Sequence, residues 1–318
     1  MNDGLASPVI FLVFNRPALT RQVFERIAGV KPSRLLIVAD GPRPDKPGEA
    51  EACEEVRRIV SRVDWPCKVD VNFAPVNLGC RQRIVTGLNW AFGIVEEAII
   101  LEDDILPDQT FFYYCDELLA RYRDDQRISM ITGFNISDGR VPSEYSYYFS
   151  RMTHIWGWAT WRRSWIRYDP TLSDWPEVKR AKLLEEVFDD GQTTSYWTRT
   201  FEGMHANTGP NTWDYQWVYT NFINGSLSIT PQRNLIENIG FGPGGTHITD
   251  PSAAPDVAVT PMKFPLTGPP AVIPLRSADR VDVTLSEFYD PTILQRVIRR
   301  LGFKSLLYRT REALGKFT

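Results

Sequence analysis

Three adjacent carboxylates, Glu102-Asp103-Asp104, follow directly on the apolar run Ala98-Ile99-Ile100-Leu101. The run reads as a short buried strand, and a carboxylate inside it would carry a large desolvation cost. The strand must therefore end where the acids begin and present them at its carboxyl edge, where open α/β sheets bind their ligands. Adjacent acids repel one another, and a divalent cation shared with phosphate oxygens relieves that repulsion. Mg²⁺ or Mn²⁺ held by one or two carboxylates plus substrate phosphates is the usual form of such a site. A solvated acidic turn is the plain alternative.

The elements that must position these acids precede them. Pro8-Val9-Ile10-Phe11-Leu12-Val13-Phe14 reads as a strand buried on both faces, ending at Asn15-Arg16-Pro17, and residues 18–28 read as an amphipathic helix. Arg34 to Ala39 is a second buried strand stopped by Asp40-Gly41-Pro42. A helix over 49–63, a strand over 68–73 and a helix over 80–95 complete the approach to the strand at 98–101. Strands alternating with helices imply parallel pairing through right-handed crossovers. The first 105 residues thus form a nucleotide-binding type of α/β half.

Three of its four strands end in polar residues at the matching edge: Asn15-Arg16, Asp40-Gly41 and Glu102-Asp103-Asp104. No GxGxxG follows the first strand and no GxxxxGK[ST] occurs, which makes dinucleotide enzymes and P-loop NTPases poor candidates. A nucleotide bound without a glycine cradle needs other phosphate partners. A metal at the acids, with Arg16, Arg81 and Arg83 as positive forks, would serve.

The second half is predicted to hold a helix over 111–123, a strand over 128–132, a charged helix over 174–190, a helix opening near Asn211-Thr212-Trp213-Asp214 and a last strand over 227–231. Between them lies an aromatic-dense stretch, Trp156-Gly157-Trp158-Ala159-Thr160-Trp161, and several of the 10 tryptophans fall between Trp156 and Trp217. Aromatic clusters of this kind pack sugar faces, although core packing explains most tryptophans. The glycine-rich stretch 238–247 reads as a lid-like loop, and the proline-rich residues 251–290 as an irregular extension. Residues 291–318 read as a basic amphipathic helix, with seven Lys/Arg against Glu312 alone. With that local +6, the remainder of the chain carries −9 of the net −3. Such asymmetry suits peripheral contact with an anionic membrane surface.

At 318 residues, 43% hydrophobic and 24% charged, the chain has the composition of a globular protein with room for a substantial core. Net charge of −3 argues against nucleic acid as a partner. Cys53, Cys67, Cys80 and Cys115 fall in no metal-ligand spacing, and three histidines are too few for a typical two-metal hydrolase. No stretch approaches the roughly 20 apolar residues of a membrane span, so a cytoplasmic location, peripheral on the inner membrane face at most, is expected.

Taken in order, Pro8–Arg16, Val38-Ala39-Asp40-Gly41, Asn77-Leu78-Gly79, Glu102-Asp103-Asp104 with Pro107-Asp108 and Phe111-Phe112, Gly157-Trp158 and Trp213-Asp214 resemble a GT-A-fold nucleotide-diphospho-sugar glycosyltransferase. The likeness is to the N-acetylglucosaminyltransferase I family and to bacterial haemolytic-protein-like glycosyltransferases, and it covers about residues 8–250. The resemblance implies a GT-A domain over 1–250, with a nucleotide-binding half (1–105) and an acceptor-binding half (106–250). By the same resemblance Arg16 and Asp40 hold the nucleotide, with Asp40 accepting from the base. Glu102 contacts the donor sugar, Asp103 the ribose or sugar region, and Asp104 alone ligates Mn²⁺ or Mg²⁺. Gly157-Trp158 lines the sugar pocket. Asp214 is the general base of an inverting transfer to a hydroxyl of a bacterial surface glycan or lipid-linked acceptor, from a donor expected to be UDP-linked. His247 falls where many such enzymes add a metal or diphosphate contact.

The chain departs from that pattern in two places. Trp213-Asp214-Tyr215-Gln216-Trp217 replaces a Trp-Asp-Asp-Trp run, which leaves a neighbour of Asp214 open as the base. Gly87 or a neighbour stands where the eukaryotic enzymes carry a histidine, so the donor can differ from UDP-N-acetylglucosamine. A sugar-nucleotide pyrophosphorylase shares the α/β half and the metal but would need glycines after the first strand, where this chain has Asn15-Arg16-Pro17. A non-catalytic carbohydrate- or surface-binding protein is the third reading.

Overall fold

The computed structural model describes residues 4–241 and 255–287. Its first half is built from β1 (Val9–Val13), α1 (Pro17–Val30), β2 (Arg34–Ala39), α2 (Glu49–Val60), β3 (Lys68–Phe73), α3 (Cys80–Ile94) and β4 (Glu97–Glu102). Every residue of β1 is buried, as an unbroken apolar run between two covered faces requires. The strands lie in the order β3-β2-β1-β4, all parallel, with Leu12 opposite both Val38 and Glu102. The chain steps outward from β1 to β2 and β3, then returns over the sheet through α3 to β4. The carboxyl ends of β1 and β4 therefore flank the point where the winding reverses, and that is where doubly wound sheets open a ligand crevice. The fold is a mixed α/β layer with a Rossmann-like half, as the sequence pattern implied.

The remaining strands are β5 (Ile105–Pro107), β6 (Ile128–Thr132), β7 (Tyr147–Ser150), β8 (Trp158–Trp161), β9 (Leu227–Pro231) and β10 (Ile236–Asn238). They extend the sheet beyond β4 in the order β8-β6-β9-β7. The strand β8 is antiparallel to both β4 and β6, and β10 pairs separately with β5. The helices of this half are α4 (Gln109–Arg121), α5 (Arg162–Trp165), α6 (Trp175–Arg180), α7 (Leu184–Val187), α8 (Gly191–His205), α9 (Asp214–Ile223) and α10 (Arg276–Leu285). Asp108 caps α4 by accepting from the Thr110 N–H at 2.8 Å.

The aromatic stretch thus contains a strand, inserted beside β4, that its tryptophans and glycine concealed. Gly157 enters it at φ 60°, a left-handed conformation that glycine adopts without a Cβ penalty. The charged helix expected over 174–190 is two short helices, because Lys182 at φ 56° breaks the run. The extension expected to be irregular carries α10. Its inner face buries Ala278, Asp279, Asp282 and Val283, with Asp279 accepting from the Ser150 hydroxyl at 2.7 Å and from Arg151 Nε at 3.1 Å.

Strand alternation sends β1–β4 side chains into two cores. Val9, Phe11, Ile99 and Leu101 face α1, α2 and α4, whereas Ile10, Leu12, Ile100 and Trp158 face α3 and α9. Glu102, two residues beyond Ile100, consequently points to the α3/α9 side.

Candidate active site

The acidic turn forms at the carboxyl edge of β4, between the ends of β1 and β10. Arg16, one residue before α1, bridges it: one guanidinium nitrogen donates to Asp103 Oδ1 and the other to Asp104 Oδ2 at 2.9 Å. Asp103 is 2% exposed, and its second oxygen accepts from the Phe14 N–H at 3.2 Å. Both of its oxygens are therefore held by the chain itself. Burial opposes charge on Arg16, but the two carboxylates outweigh it and raise its pKa further.

Glu102 has the opposite environment. Among the described residues none donates a hydrogen bond to it. Burial first, and then the charges of Asp104 and Asp103, push its carboxyl up to about 8. Burial likewise pushes Asp103 up to about 6 against the attraction of Arg16. Asp214 adds to the repulsion on Glu102, which ties the first residue of α9 to the acidic turn. Cys80, the first residue of α3, lies among the same charges. Burial pushes its thiol up to about 12, and Glu102, Asp214, Asp104 and Asp40 each add to that shift. Carboxylates from three segments therefore converge where α3 begins.

Asp40 ends β2 at the same edge, 5% exposed. One oxygen accepts from the Gly41 and Leu78 N–H groups, both at 2.9 Å. The other accepts from Asn77 Nδ2 at 3.0 Å and from the Gly79 N–H at 3.2 Å. Four donors fill the capacity of one carboxylate, so in this conformation Asp40 organises the loop that starts α3 and has no lone pair left for a base. Asn77 spends its amide hydrogens on Asp40 and on Gly41 O at 3.0 Å, which fixes its own oxygen as an acceptor at the sheet edge.

Two arginines expected at the phosphates are engaged by the chain's own oxygens. Arg83 is buried on α3 and donates to the backbone oxygens of Ala39, at 3.1 Å, and Asn72. It satisfies the ends of β2 and β3. Arg81 reaches residues 207–212, donating to Thr212 O at 2.9 Å, Pro210 O at 3.0 Å and Asn207 Oδ1 at 3.1 Å. Trp158, 1% exposed, stacks on Trp213 with ring centroids 5.5 Å apart and packs against Trp217 at 5.6 Å. It forms the floor beneath α9 and does not line an open cleft. Among the described residues its indole N–H and that of Trp217 have no hydrogen-bond partner. His154 meets Asp282 of α10 at 2.6 Å, and His205 Nδ1 lies 3.1 Å from Leu172 O. His247 and the basic stretch 291–318 lie outside the described residues.

Several residues of the site carry no strong sequence signal. The Thr212 hydroxyl donates to Asp214 Oδ1, and a Thr two residues before an Asp at a helix start could have suggested it. Tyr168 donates to Trp213 O at 3.1 Å, a contact no local pattern announces. Gly240 lies so close to Asp104 that a Cβ there would overlap Oδ2, and the Ile239 N–H donates to Asp104 O at 2.9 Å. The start of the glycine-rich stretch thus lies over the acidic turn, and Phe241 packs edge-on against Trp156 at 5.8 Å.

The donor chemistry of the turn fits a hard divalent cation. Asp104 keeps one oxygen beyond Arg16, and Glu102 is a carboxylate crowded by like charge and without a hydrogen-bond donor. The described residues contain no cluster of three or more His, Cys, Asp or Glu set to enclose a metal. An ion here would therefore take one or two protein carboxylates and complete its shell from substrate and water, as Mg²⁺ and Mn²⁺ do.

No family model matches the chain, and no curated protein matches it. Among solved structures, it is similar to a mannosyltransferase from Pyrobaculum calidifontis in complex with GDP-Man and Mn²⁺, at 14% identity and a TM-score of 0.38, covering 70% of each chain. It is also similar to a UDP-glucose pyrophosphorylase complexed with UDP-glucose, at 14% identity and a TM-score of 0.26, covering 46% of this chain and 62% of the other.

Proposed function

We propose that the chain is an inverting, divalent-metal-dependent glycosyltransferase with a GT-A fold, using a nucleotide-diphospho-sugar donor and a hydroxyl acceptor. The observation that carries this reading is the convergence of Asp104, Glu102 and Asp214 at the reversal point of a parallel sheet, around the start of α3. Asp104, with Glu102 beside it, would hold the cation, which would supply positive charge to offset that of the leaving diphosphate. Arg16, fixed by Asp103 and Asp104, adds a permanent charge at the same edge.

Asp214 is the first residue of α9. It takes the proton of the acceptor hydroxyl as that oxygen attacks the anomeric carbon. The carbon–oxygen bond to the diphosphate breaks, its electron pair leaves on the nucleoside diphosphate, and the configuration inverts. UDP- and GDP-sugars are the first donors to test. A bacterial surface glycan or lipid-linked sugar as acceptor accords with the basic stretch beyond Pro291. The described residues contain no helix long and apolar enough to cross a membrane.

The test is a panel of UDP- and GDP-sugars with Mn²⁺, read by thermal shift and by slow donor hydrolysis. One donor class should stabilise the protein only when metal is present, and Asp104→Ala should abolish that stabilisation. If no donor binds, or if Asp104→Ala binds and hydrolyses as well as the wild type, the enzyme reading is wrong. For the membrane contact, co-sedimentation with anionic liposomes should be stronger for the full chain than for one ending at Tyr289. Equal pelleting removes that part.

A further inference from the structure

We infer that Arg81 and Thr212 are positioning residues for Asp214, and that Arg81 belongs to the acceptor side of the site instead of the donor phosphates. This rests on the proposed role of Asp214 as the base. Asp214 begins α9 without a side-chain cap on its preceding residue, Trp213. Among the described residues its side chain is oriented by the hydroxyl of Thr212, which donates to Oδ1. A base held at one oxygen presents the other to the acceptor, and its rate depends on how firmly that geometry is kept.

Thr212 is in turn held by groups from outside its own loop. Arg81 Nε donates to its carbonyl at 2.9 Å, while the other two nitrogens take Pro210 O and Asn207 Oδ1. Gln216, fully buried, donates to Thr212 O and Trp213 O at 3.2 Å when its amide nitrogen faces the chain. Tyr168 takes Trp213 O from another side. The carbonyls of residues 210, 212 and 213 are thereby all captured just before the helix.

Arg81 is the only one of these clamps that comes from the nucleotide-binding half, and its own position is determined there. It is the second residue of α3, whose leading loop is threaded onto Asp40 by Asn77, Leu78 and Gly79. The side chain of Asn211 lies against Gly79, where an added Cβ would sit 3.4 Å from Nδ2. Asp40, the 77–79 loop, Arg81 and the 207–212 loop form a continuous series of contacts from the end of β2 to the base. All three guanidinium nitrogens of Arg81 have a partner in this series, so its fork is aligned on the loop that leads into Asp214.

The experiment compares Thr212→Val, Thr212→Ser, Arg81→Met and Arg81→Lys in the full chain. Mn²⁺-supported hydrolysis of the best UDP- or GDP-sugar is followed, with Asp214→Asn as the reference. Thr212→Val and Arg81→Met should lower kcat roughly 10- to 100-fold with donor KM unchanged within about twofold. Thr212→Ser, which keeps the hydroxyl, should recover most of the loss, and Thr212→Val should have no further effect in the Asp214→Asn background. The inference is overturned if Arg81→Met raises donor KM as strongly as it lowers kcat, since Arg81 would then touch the donor. It is equally overturned if Thr212→Val matches the wild type while Asp214→Asn is inactive. If Asp214→Asn itself keeps its rate, the base assignment fails and the latch fails with it. Should Arg81→Met not fold, Thr212→Val and Arg81→Lys decide the question.

Discussion

Arg16 and Asp103 form a closed pair at the edge of the sheet: the guanidinium donates to one carboxylate oxygen, and the backbone of Phe14 occupies the other. Asp103 is thereby removed from ligand chemistry and becomes the anchor that aims Arg16 at Asp104. The three adjacent acids have three environments: Asp103 paired, Asp104 half-paired and Glu102 unpaired. The last two are the ones available to a cation.

Breaking this pair should cost stability before it costs chemistry. Arg16→Met leaves a carboxylate that is 2% exposed without its counter-charge, a change worth about 3–5 kcal/mol. Urea unfolding should show the loss, and Asp103→Asn in the same background should restore part of it. A midpoint for Arg16→Met equal to the wild type would show that solvent already screens the pair.

Asp40 is expected to behave as a loop anchor. Asp40→Ala orphans the N–H groups of Leu78 and Gly79 and the amide of Asn77, at about 2–4 kcal/mol. Backbone exchange at residues 77–79 should accelerate, readable by hydrogen–deuterium exchange. If exchange there is unchanged and only nucleotide binding falls, Asp40 is a base reader as the resemblance implies.

A pH effect is expected away from the site. Burial opposes charge on Asp169, but donation from Ser173 and Thr171 outweighs it and holds the carboxyl at about 2, below its ordinary 3.8. A folded pKa below the unfolded one gives stability that is present above about pH 4 and lost as pH falls through 2. Discounted for partial exposure, the contribution is about 1–2 kcal/mol. Asp169→Asn should lower stability at pH 7 by that amount and flatten its decline between pH 4 and 2. Parallel pH–stability curves for the two proteins would contradict it.

The Rossmann-like half was legible because its signals are local. Val9–Val13, Arg34–Ala39 and Ala98–Leu101 are apolar runs, and each polar stop falls where the strand ends. The second half was legible only in part: the strands over 128–132 and 227–231 and the helices near 111–123 and after Trp213 form as their local patterns imply, but the elements between them depend on distant partners. The strand β8 exists as the antiparallel neighbour of β4 and β6, which nothing in Trp158–Trp161 states. The helix α8 was concealed by glycine and threonines of low helix propensity, although Thr193, Trp197, Phe201 and Met204 lie on one buried face at helical spacing. The helix α10 was concealed because its buried face carries Asp279 and Asp282, whose partners Ser150, Arg151 and His154 lie more than 120 residues away. Residue type identified Arg81 and Arg83 as cations, but which oxygens they serve is a tertiary fact.

Gly240 offers the sharpest separation of metal binding from folding. Its backbone lies over Asp104 so closely that a methyl group would overlap the carboxylate oxygen that accepts from Arg16. Gly240→Ala should therefore turn Asp104 away from Arg16 while touching little else, since the residue has no left-handed φ to lose. Displacing a ligand's support costs about 10- to 100-fold in metal affinity. Mn²⁺ binding in the presence of UDP, followed by electron paramagnetic resonance, should weaken by that factor, with the unfolding midpoint close to that of the wild type. Gly93→Ala is the control, because a Cβ at that helical position meets nothing within 4 Å. It should leave Mn²⁺ binding unchanged and stabilise α3 by up to about 1 kcal/mol. Equal Mn²⁺ affinity in both variants would place the ion somewhere other than Asp104.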